Sequence, residues 1–161
     1  MDILMLIIVI IITVCLHGRT PQCPDTPAPV PSTACPSRWI NYKGKCYFFS
    51  EEERDWTSAQ SFCTSRGSSL AVIQSEPEKV FMLRYMGNIG HWFGLRKDPH
   101  QTWKWADGTE FNNILELKGE NGDCAYLSTG FAMSLHCSVR RNWICSQPDA
   151  YTRSKGPAVG G

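Results

Sequence analysis

The spacing of the cysteines constrains the fold of this chain more than any other feature. None of them forms a C-x-x-C pair, so a zinc site or a thioredoxin-type motif is disfavoured. Six of the eight fall between residues 35 and 145, and this even count predicts three disulfide bonds inside one folded domain. The count by itself leaves their pairing open. The cysteines are Cys15, Cys23, Cys35, Cys46, Cys63, Cys124, Cys137 and Cys145.

The N-terminus is an apolar run. Ile3 to Leu16 contains 14 residues, of which only Thr13 is polar. This length suits the core of a signal peptide and is shorter than the ~20 residues typical of a spanning helix. No Lys or Arg precedes the run, and Leu16-His17-Gly18 is a poor cleavage site. Segment 1–18 is therefore either a signal-anchor or a cleaved signal peptide. Either one, together with the disulfides, indicates an oxidising, extracellular setting.

Residues 19–34 are rich in proline and predict an extended stalk. At the rise of polyproline II, such a stalk would be about 40 to 50 Å long. Cys23 lies in this segment, where an exposed cysteine suggests an interchain disulfide and a homodimer. The alternative is that Cys23 carries a small thiol or pairs with nothing. The folded domain is predicted at 35–147, and the polar, Gly-rich segment 148–161 is predicted to be a disordered tail.

Two helices are predicted in the first half of the domain. The first begins at an Asp55 N-cap and ends at Gly67. The second begins with a capping box formed by Ser75 and Glu78, and ends at Gly87. Apolar residues recur at helical spacing in both segments, which predicts that each helix buries one face.

Strands dominate the second half of the domain. A hairpin is expected at 39–49 around Lys43-Gly44-Lys45, followed by a short buried strand at 70–73. Further strands are expected at 91–95, 103–105, 124–127 and 142–145. Because two helices come first and most strands later, the order predicts an α+β fold with an antiparallel sheet.

These segments together resemble a C-type lectin-like domain from Cys35 to Ser146. The resemblance rests on the hairpin and on the stretches DWTSAQSFC, SSLAVI, HWFGL, WKWADGTEF, GDCAYL and NWIC, in this order. Within the family, WKWADGTEFNN and CAYL look most like the natural-killer-complex group. The resemblance implies two helices packed on antiparallel sheets, beside a long loop region. It also implies three intradomain disulfides, Cys35–Cys46, Cys63–Cys145 and Cys124–Cys137.

The same resemblance implies a location. Members of this group are single-pass type II proteins of the plasma membrane, with an extracellular C-terminal domain. That favours a signal-anchor for segment 1–18. The cytoplasmic part, Met1-Asp2, is much shorter than in the group, so signalling by this chain inside the cell is not expected. A secreted decoy of the same fold is the alternative.

The stretch LKGENGDC at 117–124 is a candidate for part of a calcium site. Glu120, Asn121 and Asp123 place side-chain oxygens in one short loop, but calcium needs six to eight oxygens from converging segments. Sugar-binding members of the family use a proline-containing loop here and a Trp-Asn-Asp strand near the late cysteines. This chain has no proline in the loop and reads Ala132-Met133-Ser134 at the strand. We therefore expect no metal and no cofactor.

The resemblance implies a calcium-independent protein-binding module. The expected partner is a killer-cell lectin-like receptor that regulates natural-killer-cell activity. Mixed charges around a tyrosine suit a polar recognition surface with an aromatic anchor. The expected receptor-binding residues are Glu116, Lys118, Glu120, Tyr126, His136, Arg140 and Arg141.

The sequence supports other functions less well. The main alternative is a lectin that binds a sugar through calcium, or a sulfated glycosaminoglycan through Arg96, Lys97, Arg140 and Arg141. Nucleic acid is not expected as a partner, because the net charge is +1 and no long basic run occurs. Catalysis is not expected either, because no nucleophile signature accompanies the three histidines of the domain, His91, His100 and His136.

Overall fold

The computed structural model describes residues 2–17 and 35–155. The chain divides into two compact units, Met1–Pro31 and Ser32–Gly161. In the first unit, helix α1 (Ile3–His17) has 15 residues, and its apolar side chains from Ile3 to Ile12 are exposed. Among the helices in the described ranges, none is both long and apolar enough to cross a membrane. The expected stalk at 19–34 and the candidate interchain cysteine Cys23 lie outside the described residues.

The second unit is built on one mixed sheet. Seven strands follow the order β1-β2-β9-β4-β7-β8-β6, while β3 pairs with β9 and β5 pairs with β4. Most neighbours are antiparallel, but β4–β9 and β6–β8 are parallel. The strands are β1 (Ile40–Tyr42), β2 (Lys45–Phe49), β3 (Ser69–Leu70), β4 (His91–Lys97), β5 (Trp103–Trp105), β6 (Leu117–Lys118), β7 (Cys124–Leu127), β8 (Ala132–Leu135) and β9 (Asn142–Pro148).

This architecture confirms the α+β fold and corrects some details. The expected strand at 70–73 is only the two-residue β3, because after Leu70 the chain leaves the sheet and is buried from Ala71 to Ile73. Its Ala71 amide still donates to the Ile144 carbonyl, and Gly94 donates to Ala71. Strands β6 and β8 were not expected, because their short segments carry little apolar alternation.

Helix α2 (Trp56–Ser65) has the predicted limits. The Asp55 carboxylate accepts a hydrogen bond from the Ser58 amide at 2.8 Å, which satisfies a backbone donor in the first turn. Trp56, Ala59 and Cys63 are buried on one face, as the helical spacing predicts. The Trp56 indole also donates to the Phe93 carbonyl, and this bond ties the start of the helix to β4.

Helix α3 (Glu76–Met86) begins at the predicted Ser75 cap, but its Glu78 does not close a capping box. Instead the Glu78 carboxylate, 6 % exposed, accepts from the Gln74 amide, from Lys45 at 2.5 Å and from the Tyr47 hydroxyl at 2.5 Å. Burial opposes ionisation of Glu78, but the bonds from Lys45 and Tyr47 outweigh it and lower the pKa of Glu78. Burial and the bond to Glu78 raise the pKa of Tyr47. The result is a buried network that joins β2 to α3.

The core has two parts, one on each face of the sheet. One contains Phe93, Trp105, Leu127 and Ile144 and includes the α3 residues Met82 and Met86. The other contains the buried face of α2 together with Trp92, Trp143 and the two late disulfides. Each face of the sheet is therefore covered over part of its width.

Three disulfides hold this unit together, with the pairing that the resemblance implies. Cys35–Cys46 closes the N-terminal hairpin, whose turn is formed by Lys43 and Gly44. Cys63–Cys145 joins α2 to β9 across 82 residues of sequence, and Cys124–Cys137 joins β7 to the loop after β8.

The C-terminal segment differs from the expected disordered tail. Strand β9 continues to Pro148, and a short helix α4 (Ala150–Ser154) follows. Asp149, 1 % exposed, caps this helix by accepting from the Thr152 amide at 2.7 Å, and it also accepts from Asn41 at 3.1 Å. The buried Asp149 carboxylate accepts both hydrogen bonds, and these fix residues 149–155 against the β1–β2 hairpin. The composition of the C-terminal segment did not indicate its contact with Asn41, because the two residues that meet are far apart in sequence.

Candidate functional site

A row of side chains crosses five strands of the sheet on one face. Trp143 pairs with Trp92, Trp92 with Tyr126, Tyr126 with Met133, and Met133 with Lys118. Paired residues of neighbouring strands point to the same side of a sheet. The two tryptophans are buried beneath α2, Tyr126 and Met133 are half-buried, and Lys118 is exposed. The row therefore leads from the core to an accessible face on β7, β8 and β6.

Arg141 covers Tyr126 on this face. The Arg141 guanidinium carbon lies 3.9 Å from the centre of the Tyr126 ring, which is close enough for a cation–π contact. Trp92 meets the same ring edge-on at 6.2 Å. Gly90 borders both side chains, since a Cβ atom built there would lie 2.8 Å from the Tyr126 ring and 3.1 Å from the Arg141 Nη1 atom. A residue without a side chain at position 90 thus allows the stack to form.

The Arg141 charge has no partner of its own. Its Nε atom is buried and has no hydrogen-bond acceptor, and Arg141 takes part in none of the ion pairs in the described part of the chain. A buried donor without an acceptor is unfavourable, and because the Nε atom is closed to solvent a ligand can reach only the rest of the guanidinium. We name Tyr126, Arg141 and Met133 the open face.

Arg140, the neighbour of Arg141 in sequence, is engaged within the protein. Its Nη2 atom donates to the Glu53 carbonyl at 2.8 Å. Arg54 and Arg141 exchange two backbone hydrogen bonds beside it, at 2.9 and 3.0 Å. The sequence grouped the two arginines as one dipeptide, but the structure gives them different surroundings.

The remaining expected receptor residues lie at the edge of the sheet. Lys118 and Glu116 form an exposed ion pair at 3.5 Å, and the Lys118 ammonium lies 4.3 Å from the centre of the Phe131 ring. Lys118 joins the open face through Met133, whereas Glu116 lies beyond it. Glu120 is exposed in the loop after β6, and His136 is exposed and contacts the Ser138 hydroxyl at 3.0 Å.

The loop from Gly119 to Asp123 is held by packing and hydrogen bonds. Gly122 lies against the end of β8, where a Cβ atom would approach the Leu135 carbonyl carbon to 2.2 Å. The Asn121 amide donates to the Ser134 hydroxyl at 3.1 Å, and the Asp123 carbonyl accepts from the Lys97 amide at 2.8 Å. Ser134 is 1 % exposed, so its side chain is used to hold the loop. Across residues 2–17 and 35–155, no group of three or more His, Cys, Asp or Glu residues is placed to hold a metal ion.

The four basic residues considered for a sulfated glycan do not lie together in the structure. Arg96 and Lys97 line a cavity of about 430 Å³ with Lys104, over the ring of Trp56. In the same cavity, Asp98 accepts a hydrogen bond from the Thr102 amide, and this bond is the main cause of its lowered pKa. A hydrogen bond from Lys104 lowers that pKa further. Arg140 borders a different cavity beside Asp55, and Arg141 lies on Tyr126.

The histidines have structural surroundings. His91 is 4 % exposed and its Nδ1 atom lies 2.7 Å from the Ile89 carbonyl oxygen. Burial lowers the pKa of His91, although the bond to Ile89 opposes that effect. His100 is exposed, and its amide donates to Asp98 in a turn.

Sequence reasoning missed Met133 and Gly90 as parts of the candidate site. Met133 was considered only as a missing calcium ligand, and Trp92, which supports the Tyr126 ring from below, is a buried core residue. The strand register that places them beside Tyr126 depends on β8, which was not expected. The only local signal was a glycine directly before a predicted buried strand.

The fold and this sheet face can now be compared with known proteins. The Lectin C-type domain family matches residues 52–147. This chain belongs to that family. The human early activation antigen CD69 is 37 % identical over 153 residues, covering 92 % of this chain and 76 % of the antigen. Human C-type lectin domain family 2 member D is 40 % identical over 130 residues, covering 81 % of this chain and 68 % of that protein.

Solved C-type lectin structures have the same fold. The carbohydrate-recognition domain of the mouse scavenger receptor C-type lectin superposes with a TM-score of 0.65 at 30 % identity, covering 71 % of this chain and 97 % of that domain. These relatives confirm membership of the natural-killer-complex group. They also confirm that this C-type lectin domain protein is not an enzyme, because the family and fold are those of binding proteins.

Proposed function

We propose that this C-type lectin domain binds a protein receptor through the open face, with no calcium ion between the partners. The receptor is a killer-cell lectin-like receptor, and binding regulates natural-killer-cell activity. The resemblance to the natural-killer-complex group supports the receptor class. One observation supports the surface: the Arg141 guanidinium carbon lies 3.9 Å from the centre of the Tyr126 ring and forms no ion pair within the described residues.

The chemistry of the open face fits an acidic side chain on the receptor. A carboxylate can accept two parallel hydrogen bonds from a guanidinium, and the Tyr126 ring limits the positions that this guanidinium takes. Met133 and the Tyr126 ring supply apolar area beside the charge. Arginine and tyrosine are the residue types that most often dominate binding energy at protein interfaces.

The absence of calcium from the proposed contact rests on the donor set. The strand that would supply half of a calcium site contains Ala132, Met133 and Ser134, and Ser134 already bonds the Asn121 amide. Glu120, Asn121 and Asp123 remain, and calcium requires more oxygens than one short loop offers. In this proposal they contribute to the rim of the protein contact.

A matched pair of variants tests the surface. Cells that display the full chain are stained with soluble killer-cell lectin-like receptors, with and without a calcium chelator. We expect Arg141→Ala to weaken staining by about 10- to 100-fold, because a central charged contact is lost. Arg140→Ala is the control and should change binding by less than about threefold, as its guanidinium serves the Glu53 carbonyl. Equal losses for both variants, or loss of staining in chelator, would contradict the proposal.

A glycan is the second candidate, supported by the cavity that Arg96, Lys97 and Lys104 line, in which Arg96 lies over Trp56 and Lys104 pairs with Asp98. Several cations beside an aromatic ring suit a sulfated sugar. A heparin column at physiological salt tests this candidate. Retention would favour the glycan if Arg96→Ala abolishes it and Arg141→Ala does not change it. Weak retention unchanged by both variants would favour the protein receptor.

We also propose that the chain is a type II protein of the plasma membrane, with α1 as signal-anchor and Cys23 as the bridge of a homodimer. The exposed apolar side chains of α1 support the first part. N-terminal sequencing separates an anchor from the cleaved signal of a secreted form, since only the anchor retains α1. Loss of the dimer band on a non-reducing gel in Cys23→Ser tests the bridge.

A further inference from the structure

Side chains from both ends of α2, from β2 and from the segment before β1 line one recess. Its volume is about 620 Å³, which is within the range of small-molecule sites in proteins. The receptor and glycan proposals use none of its residues. Three arginines and three half-buried aromatic residues line it, and we name it the arginine recess: Arg38, Arg54, Arg66, Trp39, Phe48 and Phe62.

Two of the guanidinium groups meet at one ring. The Arg66 guanidinium carbon lies 3.7 Å from the centre of the Phe62 ring and that of Arg54 lies 5.2 Å from the same point, so the two carbons are at most about 9 Å apart. The Phe62 ring is itself packed against Phe48 at 5.2 Å and Trp143 at 5.0 Å. These cation–π contacts limit the positions that the two guanidinium groups take. An anionic group between them can contact both.

Two of the three arginines have no acidic partner. Arg38 and Arg66 form none of the ion pairs found within residues 2–17 and 35–155. The Arg66 Nη1 atom donates to the Ser65 hydroxyl at 3.2 Å, and this neutral acceptor leaves the charge uncompensated.

The third arginine has a weak partner. Arg54 pairs with Glu52 at 3.6 Å, and 75 % of the Glu52 side chain is exposed. Glu51 is a second exposed carboxylate that borders the recess. Because an ion pair this exposed contributes little, a bound anion can compete with Glu52 for Arg54.

Arg38 has a backbone conformation that favours glycine. Its φ is +70°, in the left-handed region that long side chains rarely adopt. It lies in a turn in which the Trp39 amide donates to the Pro36 carbonyl at 3.0 Å. A glycine would form this turn with less strain, so the turn alone does not explain a long cationic side chain at this position. Strained residues of this kind occur preferentially at binding sites.

We propose that the arginine recess binds a small organic acid. Its carboxylate lies among the guanidinium groups of Arg38, Arg54 and Arg66, which pair with carboxylates through charge-assisted hydrogen bonds. Its apolar body contacts Trp39 and Phe48, since flat apolar groups pack well on aromatic rings. A recess of this volume suits a small molecule, whereas a protein partner needs a much larger contact. The site is separate from the open face.

Calorimetric titration of the full chain in phosphatidylcholine nanodiscs tests the site, with empty nanodiscs as the blank. The probes are naphthoate, which has an aromatic body and a carboxylate, and naphthamide, its uncharged counterpart. We expect naphthoate to bind at least about tenfold more tightly, because pairing with guanidinium needs the negative charge. Arg66→Ala should weaken naphthoate binding by about 5- to 20-fold. Arg96→Ala is the matched control in the cavity over Trp56, and should change it by less than about twofold.

Two further variants distinguish binding from folding. Glu52→Gln removes the competing carboxylate and should strengthen naphthoate binding by about two- to fivefold, which damage to the fold would not do. Arg38→Gly should weaken binding by about three- to tenfold without lowering the melting temperature, because glycine tolerates the positive φ.

Several outcomes would overturn the proposal. They are equal affinity for the two probes, no binding of naphthoate, and a loss of binding in Arg96→Ala that Arg66→Ala does not share. A lower melting temperature for Arg38→Gly with unchanged affinity would also contradict it, since Arg38 would then serve the turn. Receptor staining should not change in Arg66→Ala, so this proposal and the receptor proposal can fail independently.

Discussion

Two clusters of this domain combine an aromatic hydroxyl with charge, and they differ in how far their bonds are satisfied. In the Glu78 network, Lys45, Tyr47 and the Gln74 amide all donate to one buried carboxylate. On the open face, Arg141 lies on Tyr126 and its Nε atom has no acceptor. The satisfied cluster holds the fold together, since its bonds join β2 to α3. The unsatisfied cluster has capacity left for a partner. The following experiments test this division, beginning with the largest expected effect.

Removing the long disulfide should abolish both clusters together. Cys63–Cys145 closes a loop of 82 residues, and the chain-entropy model assigns such a closure roughly 4 to 5 kcal/mol. That is close to the whole stability of a small domain. We expect Cys63→Ser with Cys145→Ser, or reduction, to abolish the near-ultraviolet circular dichroism. A native spectrum after reduction would show that packing alone maintains the fold.

Removing the carboxylate of the closed cluster should affect folding without affecting recognition. We expect Glu78→Ala to lower the free energy of unfolding by about 2 to 4 kcal/mol, because Tyr47 and the Gln74 amide lose their acceptor inside the protein. Urea denaturation measures this loss. Receptor staining per folded molecule should not change. A specific loss of staining would show that the two clusters are coupled.

The closed cluster also predicts how stability depends on pH. The folded pKa of Glu78 is lowered, so its contribution is present above the unfolded value near 4.5 and is lost as pH falls through the folded value. The pKa of buried His91 is also lowered, so the unfolded chain binds its proton more readily. His91 therefore also lowers stability as pH falls below its ordinary pKa of 6.5. Denaturation midpoints should therefore fall in two stages, and Glu78→Gln should reduce the lower one, to which the lowered pKa values of Asp98 and Asp149 also contribute. An unchanged profile in Glu78→Gln would contradict this.

Gly90 allows the geometry of the open face to be changed without removing a charge. In Gly90→Ala, the new Cβ must displace the Tyr126 ring, which lies 2.8 Å from the position it would take. We expect receptor binding to weaken by about 5- to 20-fold, with only a small change in stability. In the control Gly108→Ala the new atom has no neighbour within 4 Å, but the positive φ of 88° strains the backbone, so binding of both variants is compared per folded molecule. Unchanged binding in Gly90→Ala would show that the stack does not position Arg141 for a receptor.

The smallest expected effect is at the C-terminus. Asp149→Ala removes the cap of α4 and its bond to Asn41, and should lower the denaturation midpoint only slightly. Hydrogen exchange should increase at residues 150–155 and not at Tyr126. A cost near zero would indicate that α4 contributes little to the fold.

Much of this fold could be predicted because its signals are local. The Asp55 cap, the Ser75 cap and the strand around Trp92 lie in segments whose pattern fixes their structure. The prediction was wrong where one element depends on a distant one. Glu78 bonds Lys45 and Tyr47 rather than closing its own helix cap, and residues 150–154, expected in a disordered tail, form a helix against the hairpin. For the proposed site, the sequence predicted Tyr126 and Arg141, whereas strand pairing placed Met133 and Trp92 beside Tyr126.

The sequence by itself determined that this chain forms a disulfide-bonded α+β domain, since cysteine count, helix caps and apolar periodicity are properties of short segments. The resemblance added the prediction that no calcium is bound, since the loop at 117–124 has no proline and the late strand reads Ala132-Met133-Ser134. Only the tertiary structure decided that Arg140 bonds the Glu53 carbonyl while Arg141 stacks on Tyr126. The physical reason is that Arg140 and Arg141 lie in the irregular segment just before β9, so their surroundings depend on which distant segments the fold places beside each of them.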